Sequence, residues 1–312
     1  MVTQLSPRVA RLRAANPSPM TLEGTNGYVI HAGPRALIAI DPGPKLASQR
    51  DAFLAYARDA NAAYVAIIVT HGHPDHFPGA APLAAATGAP VLAHPAARFP
   101  RDQVLANGER LRYDEATLRV VHAPGHAIDH IVLSFEEEAS LFTGDVVIGR
   151  GTVVIAPPGG DMRTYQKTLA RLYAEFANDR AIYGGHGPAV RNVRAKLEEY
   201  IAHRAAREAQ LLDALDEGAA TLPELVARVY KDVDRVLWPA AGRQLLAYLI
   251  ALEREGVVVA ERLDREMTRA EAAILDPDLY KLGDGMSTAV IRAELGYGAS
   301  EPLVRYALTA AP

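Results

Sequence analysis

The chain has 312 residues, more than one average domain, so a large core with a smaller unit beside it is expected. Apolar residues make up 49% and charged residues 22%, near globular averages, which excludes long disorder; the absence of cysteine excludes disulfides and thiolate ligands and leaves nitrogen and oxygen to hold any metal. A net charge of −4 gives no global attraction to nucleic acid or an anionic membrane, and with neither a leader-like apolar run in the first 16 residues nor eighteen apolar residues in succession, the chain reads as cytoplasmic with no membrane partner.

From the N-terminus, Gly27-Tyr-Val-Ile30 and Ala36-Leu-Ile-Ala-Ile40 flank the turn Ala32-Gly-Pro-Arg35 and read as a hairpin, followed by a helix over 47–60. Residues 64–69 are too uniformly apolar for a half-exposed strand and belong in a sheet covered on both faces. A helix over 78–87 stops at Gly88, and strands are expected at 90–93, 118–122, 131–135, 141–142 and 181–183. Asp161 can cap a helix with Tyr165, Leu169, Leu172 and Phe176 on one stripe. Strands and helices mixed on this scale predict an α/β (α+β) class with sheet layers sandwiched by helices.

Past residue 200 the pattern turns helical. A helix over 203–217 ends at Gly218, Thr221-Leu-Pro-Glu224 is a capping box, a helix over 241–255 ends at Gly256, and 257–262 form a short strand. This order resembles a winged helix, so the expected units are 1–202, 203–262 and an extension, 263–312, without an assigned role. Between 203 and 262 eight basic side chains stand against ten acidic ones, the wrong sign for a phosphate-dominated binder. The unit therefore reads as a wall of a cleft or as an element of a homodimer.

Chemistry gathers where the strands end. After 64–69 come His71, His73, Asp75 and His76; after 118–121 comes Ala-Pro-Gly-His126; after 141–142 comes Thr-Gly-Asp145; after 181–183 comes Gly-Gly-His186. In a layered sheet such ends can share one edge. Five imidazoles and two carboxylates converging there would hold two divalent ions, zinc first, with iron or manganese open to the same donors.

His71-x-His73-x-Asp75-His76, with His126, Asp145 and His186 following in order, resembles the metallo-β-lactamase superfamily. Within it the resemblance is to the β-lactamase-like protein 2 group, through Asn16-Pro-x-x-Met20 to Gly24-Thr-Asn26, Pro124-Gly-His126-x-x-Asp-His130 and the winged helix, over about residues 10 to 262. The resemblance implies an αββα sandwich with a two-metal site. His71, His73 and His126 would hold one ion and Asp75, His76 and His186 the other, with Asp145 bridging. It implies hydrolysis by a metal-activated hydroxide that Asp75 orients and deprotonates, with His130 as a candidate proton donor to the leaving group. Relatives in that group include single-strand endoribonucleases and thioesterases acting on carrier-bound acyl chains. The acidic balance favours a small or carrier-bound acyl substrate, a thioester, ester or lactone, over RNA.

Other readings stay open on sequence grounds: a phosphodiesterase or endoribonuclease, a nucleic-acid-binding regulator with a structural or sensing metal, and a mononuclear iron dioxygenase of the persulfide type. Asp41, in Ile40-Asp-Pro-Gly43, resembles the superfamily's aspartate that orients a ligating imidazole. His94 and His122 read as packed imidazoles, His31 and His203 as structural or exposed, and Asn26, Tyr28 and Tyr165 as packing residues. Arg191, Arg194, Lys196, Arg204 and Arg207, interrupted by glutamates, read as a solvated helix face.

Overall fold

A computed structural model describes residues 2–275 and 303–309. The first half builds a seven-stranded sheet in sequence order from β1 (Val2–Gln4), β2 (Val9–Arg13), β3 (Asn26–Gly33), β4 (Ala36–Ile40), β5 (Ala63–Ile68), β6 (Val91–Ala93) and β7 (Gln103–Val104). The first four pair antiparallel, and β4 to β7 run parallel, with helices α1 (Ala47–Asp59) and α2 (Ala80–Thr87) carrying the chain back from β4 to β5 and from β5 to β6 and the helix-free segment 94–102 leading to β7. A five-stranded sheet follows, ordered β12-β11-β10-β9-β8, from β8 (Arg110–Tyr113), β9 (Ala116–His122), β10 (Ile131–Phe135), β11 (Ser140–Gly144) and β12 (Ala181–Gly184), with α3 (Met162–Phe176) crossing between the last two.

The period-two alternation of a strand decides which layer each side chain enters. Ile38 and Ile40 of β4 face the second sheet and pack with Leu118, Val120, Leu133 and Phe142, whereas Leu37 and Ala39 face outward with Phe53 of α1 and Leu83 of α2. On the far side Val121, Val132, Leu141 and Ile182 meet Tyr165, Leu169, Leu172 and Phe176 of α3. Asp161 caps that helix, accepting from the Thr164 N–H at 2.8 Å. The result is helix, sheet, sheet, helix, as expected.

The C-terminal unit contains α4 (Val193–Asp216), β13 (Ala220–Thr221), α5 (Leu222–Val229), α6 (Trp238–Arg254), β14 (Val258–Arg262), α7 (Arg269–Leu275) and β15 (Val304–Leu308). The helix expected to open at residue 203 begins ten residues earlier, capped by Asn192, so the expected boundary at 202 falls inside one continuous helix. Its outer-sheet core runs unbroken from Leu169 through Leu197 and Tyr200 to Leu245, Tyr248 and Leu249. The Thr221–Glu224 capping box forms as read. Strand β15, from the tail that had no expected role, lies between β13 and β14 as the middle strand of a three-stranded sheet. Among the described residues no helix is long and apolar enough to cross a membrane.

Candidate metal centre

The four chain segments do not end at the edge of one sheet. β5 delivers His71, His73, Asp75 and His76 from the first sheet, while β9, β11 and β12, which run the same way in the second, deliver His126, Asp145 and His186. The two sheets face each other, so their C-terminal ends meet. Small residues make that approach possible: Gly144 has φ +45°, and a Cβ there would stand 2.6 Å from Thr70 Oγ1, while one on Gly185 would collide with the Asp145 carboxylate and the His76 ring.

All seven expected ligands come together. His71 Nε2 and His126 Nε2 lie 3.1 and 3.0 Å from His73 Nδ1. Across the centre, His186 Nε2 is 3.2 Å from both Asp75 Oδ2 and Asp145 Oδ2, and His76 Nε2 is 3.3 Å from Asp75 Oδ2 and 3.6 Å from Asp145 Oδ1. Asp145 Oδ2 also stands 3.9 Å from His126 Nε2, placing its carboxylate between the two groups. Donor atoms lie within 4.8 Å of one another in each of three sets: His71 with His73 and His126, Asp75 with His76 and His186, and His71 with His76 and Asp145. His76 Nε2 and Asp145 Oδ1 are buried and accept or donate no hydrogen bond, a cost of about 1–3 kcal/mol each that cation ligation removes. The donor set therefore fits two metal ions.

Neighbouring groups hold the ligands. Asp41, at φ +46° beyond β4, accepts from the Thr70 N–H and hydroxyl at 2.8 and 2.7 Å and meets His76 Nδ1 at 2.9 Å, the orienting position expected of it. The Thr25 hydroxyl donates to Asp75 Oδ2 at 2.8 Å, and the Val154 carbonyl meets His126 Nδ1 at 3.0 Å. Arg204, itself buried, donates to the Val153 carbonyl, next to Val154, at 2.7 Å and to Gln244 Oε1 at 2.8 Å. Asn26 and Tyr28 bond the Gly184 carbonyl beside His186, packing roles as read. His130 is wholly buried, stacked on His71 with ring centroids 4.5 Å apart, and its Nε2 accepts the Asp145 N–H at 3.0 Å.

Charge divides the centre. Burial lowers the pKa of His71, His73 and His126, the last to about 3, leaving neutral imidazoles ready to donate lone pairs. On the other side burial opposes protonation of His186, yet Asp145 and Asp75 raise it to about 10; His76 is lifted in the same way. Burial pushes both carboxyls up, but His76 and His186 outweigh it and hold Asp75 and Asp145 well below the usual range. The carboxylate half thus draws positive charge inward.

The centre forms the floor of a cleft of about 400 Å³. Its walls include Met20 and Leu22, Ile148, Arg150 to Val154 and Ala156, and, from the C-terminal unit, His203, Arg207, Tyr230, Ala240 and Gln244. A wider, shallow depression over Arg35, Arg58 and Thr87 lies apart from these ligands. Sequence reading missed Thr25, Thr70 and the cleft faces of His203 and Arg207; the i, i+4 spacing of the last two was the available signal. The arginine series does not share one solvated face: Arg191 and Arg194 are tied down at the surface, Arg204 is buried, and Arg207 opens into the cleft. His94 and His122 stack on each other at 4.1 Å, half-buried, and His31 meets Tyr56 Oη at 2.8 Å.

Two family profiles match: the metallo-beta-lactamase superfamily over residues 20–186 and the beta-lactamase associated winged helix domain over 221–265. The chain is 33% identical to the beta-lactamase-like protein 2 homolog of Drosophila melanogaster, covering 85% of this chain and 94% of that one. It is 31% identical to the atrochrysone carboxyl ACP thioesterase of Aspergillus fumigatus, covering 73% and 75% respectively. In structure it resembles a metallo-beta-lactamase family protein from Thermus thermophilus, with a TM-score of 0.70 and 23% identity over 83% of this chain and 97% of that one.

Proposed function

Because the chain belongs to the metallo-beta-lactamase superfamily and is a metal-dependent hydrolase, we propose that it hydrolyses an acyl thioester with two divalent cations, zinc in the first place, at the floor of the cleft. The observation that carries this reading is the ligand cluster opening into a cleft whose walls are chiefly apolar, through Met20, Leu22, Ile148, Val153, Val154 and Leu237. Such walls fit an acyl chain better than a polyanionic strand. A relative named as an ACP thioesterase supports the same bond.

His71, His73 and His126 would hold one cation, Asp75, His76 and His186 the other, with Asp145 reaching both. When bound, the cations supply Lewis acidity toward the carbonyl oxygen and bring the pKa of water to about 7. Asp75, steadied by the Thr25 hydroxyl, orients the attacking water and takes its proton. The water oxygen bonds to the thioester carbonyl carbon, the C–S bond breaks, and the thiolate leaves. With a thiol pKa of about 8.5, that group departs without a proton donor. His130 lies outside the cleft lining and accepts the Asp145 N–H, so we assign it to positioning Asp145, not to protonating the leaving group.

The test is thiol release from an acyl-thioester panel by zinc-reconstituted protein. Wild type should turn over, and Asp75→Ala should lose roughly 10²–10⁴-fold in kcat while its circular dichroism is unchanged. No thiol release above background, or undiminished turnover in Asp75→Ala, overturns the reading.

A further inference from the structure

The cleft has a polar end built by the C-terminal unit. His203 and Arg207 lie one turn apart on α4, Tyr230 follows α5, and Gln244 comes from α6; all of them line the cleft. The Arg207 guanidinium lies over the Tyr230 ring, 4.2 Å from its centroid, and one of its N–H groups donates to the Val229 carbonyl at 3.1 Å. Gln244, itself fixed by Arg204, reaches the Tyr230 hydroxyl at 3.4 Å and steadies that ring.

No carboxylate among the described residues pairs with Arg207. Its sequence neighbour Glu208 is taken by Arg163 at 2.5 Å, and the other arginine of the cleft, Arg150, is paired with Glu23 at 2.5 Å. His203 adds a buried Nδ1 with no hydrogen-bond partner. A guanidinium held over an aromatic ring and tied by one N–H keeps its remaining N–H groups in their planar fork, which matches a carboxylate or phosphate in two-point contact. Placed in a mainly apolar cleft without a counter-ion, it is short of an anion that a ligand can bring.

We propose that Arg207, on its Tyr230 platform beside His203, binds an anionic oxygen group of the substrate: a carboxylate at the far end of the acyl chain or a phosphate on the thiol carrier. The inference rests on the hydrolase reading above and narrows its substrate class. The metal cluster selects the bond, and this end selects the charge.

Three thioesters with equal acyl length test it: one neutral throughout, one with a terminal carboxylate, and one neutral acyl chain on phosphopantetheine. Wild type should prefer one anionic substrate over the neutral one in kcat/KM, and Arg207→Met should reduce that preference roughly tenfold to a hundredfold. Arg207→Lys should restore part of it. Which anionic substrate responds identifies the source of the charge. An unchanged preference in Arg207→Met, or none in wild type, overturns the proposal. Should no thioester be cleaved at all, calorimetric binding of a dicarboxylate and of phosphopantetheine to wild type and Arg207→Met still decides: binding lost in the variant supports the site, and equal or absent binding removes it.

Discussion

Asp41 shows how much one carboxylate organises. It stands at the end of β4, ties the Thr70 backbone and hydroxyl to itself, and turns His76 by its Nδ1, so that Nε2 points into the centre. Asp41→Asn keeps the shape but weakens the acceptor, and metal affinity should fall about 10–100-fold in chelator competition. Its role was legible in Ile40-Asp-Pro-Gly43; its partner Thr70 was not, because a threonine between a strand and a histidine carries no local signal. His94 makes a prediction away from the metal. Burial, then His122, then Arg101 depress its pKa to about 4, against an ordinary value of 6.5. Between those values the unfolded chain binds the proton and the folded chain does not, so stability rises with pH through that window and is lost as pH falls. Other depressed histidines contribute to the same slope. His94→Gln should therefore flatten, not abolish, the fall in Tm from pH 6.5 to pH 4, as a series of thermal melts would show.

At the scale of elements, the segment between β11 and α3 is held from below by the C-terminal helices. Arg204 grips the Val153 carbonyl and Arg243 the Pro157 carbonyl at 2.6 Å, and the Val154 carbonyl between them fixes His126. Arg204→Met leaves the Val153 carbonyl and Gln244 Oε1 without their donor in a buried site, which should cost roughly 2–4 kcal/mol in urea unfolding. A loss below about 1 kcal/mol would show that Arg204 is not needed there. Helix α3 and the Thr221 capping box were readable because their determinants lie within a turn of each other. The start of α4 was missed although its signals are local: Asn192 is an adequate cap, and Val193, Leu197 and Tyr200 fall at i, i+4 and i+7 on its buried face, between charged residues that mask the stripe.

Across the whole molecule, the C-terminal unit is continuous with the sandwich, sharing α4 and the outer core and closing the cleft. Ending the chain at residue 302 removes β15 and with it the partner of both β13 and β14. An edge pair cannot form without that middle strand. The truncated protein should melt at a lower temperature and be cut faster within 217–262 in limited proteolysis, and an unaltered digestion pattern would show that the sheet is dispensable.

Local chemistry was determined by sequence alone: strands by alternation and apolar runs, helix starts by caps, and a metal-ligating cluster by histidines and aspartates following strands. These depend on residues a few positions apart. Tertiary structure alone decided that the ligands come from the facing ends of two sheets, that Thr25 holds Asp75, that residues 304–308 complete a sheet begun at 220, and that Arg207 opens into the cleft. Each is a contact between distant segments, whose formation is set by how whole layers pack; the i, i+4 spacing of His203 and Arg207 marks a shared helix face but not what that face meets.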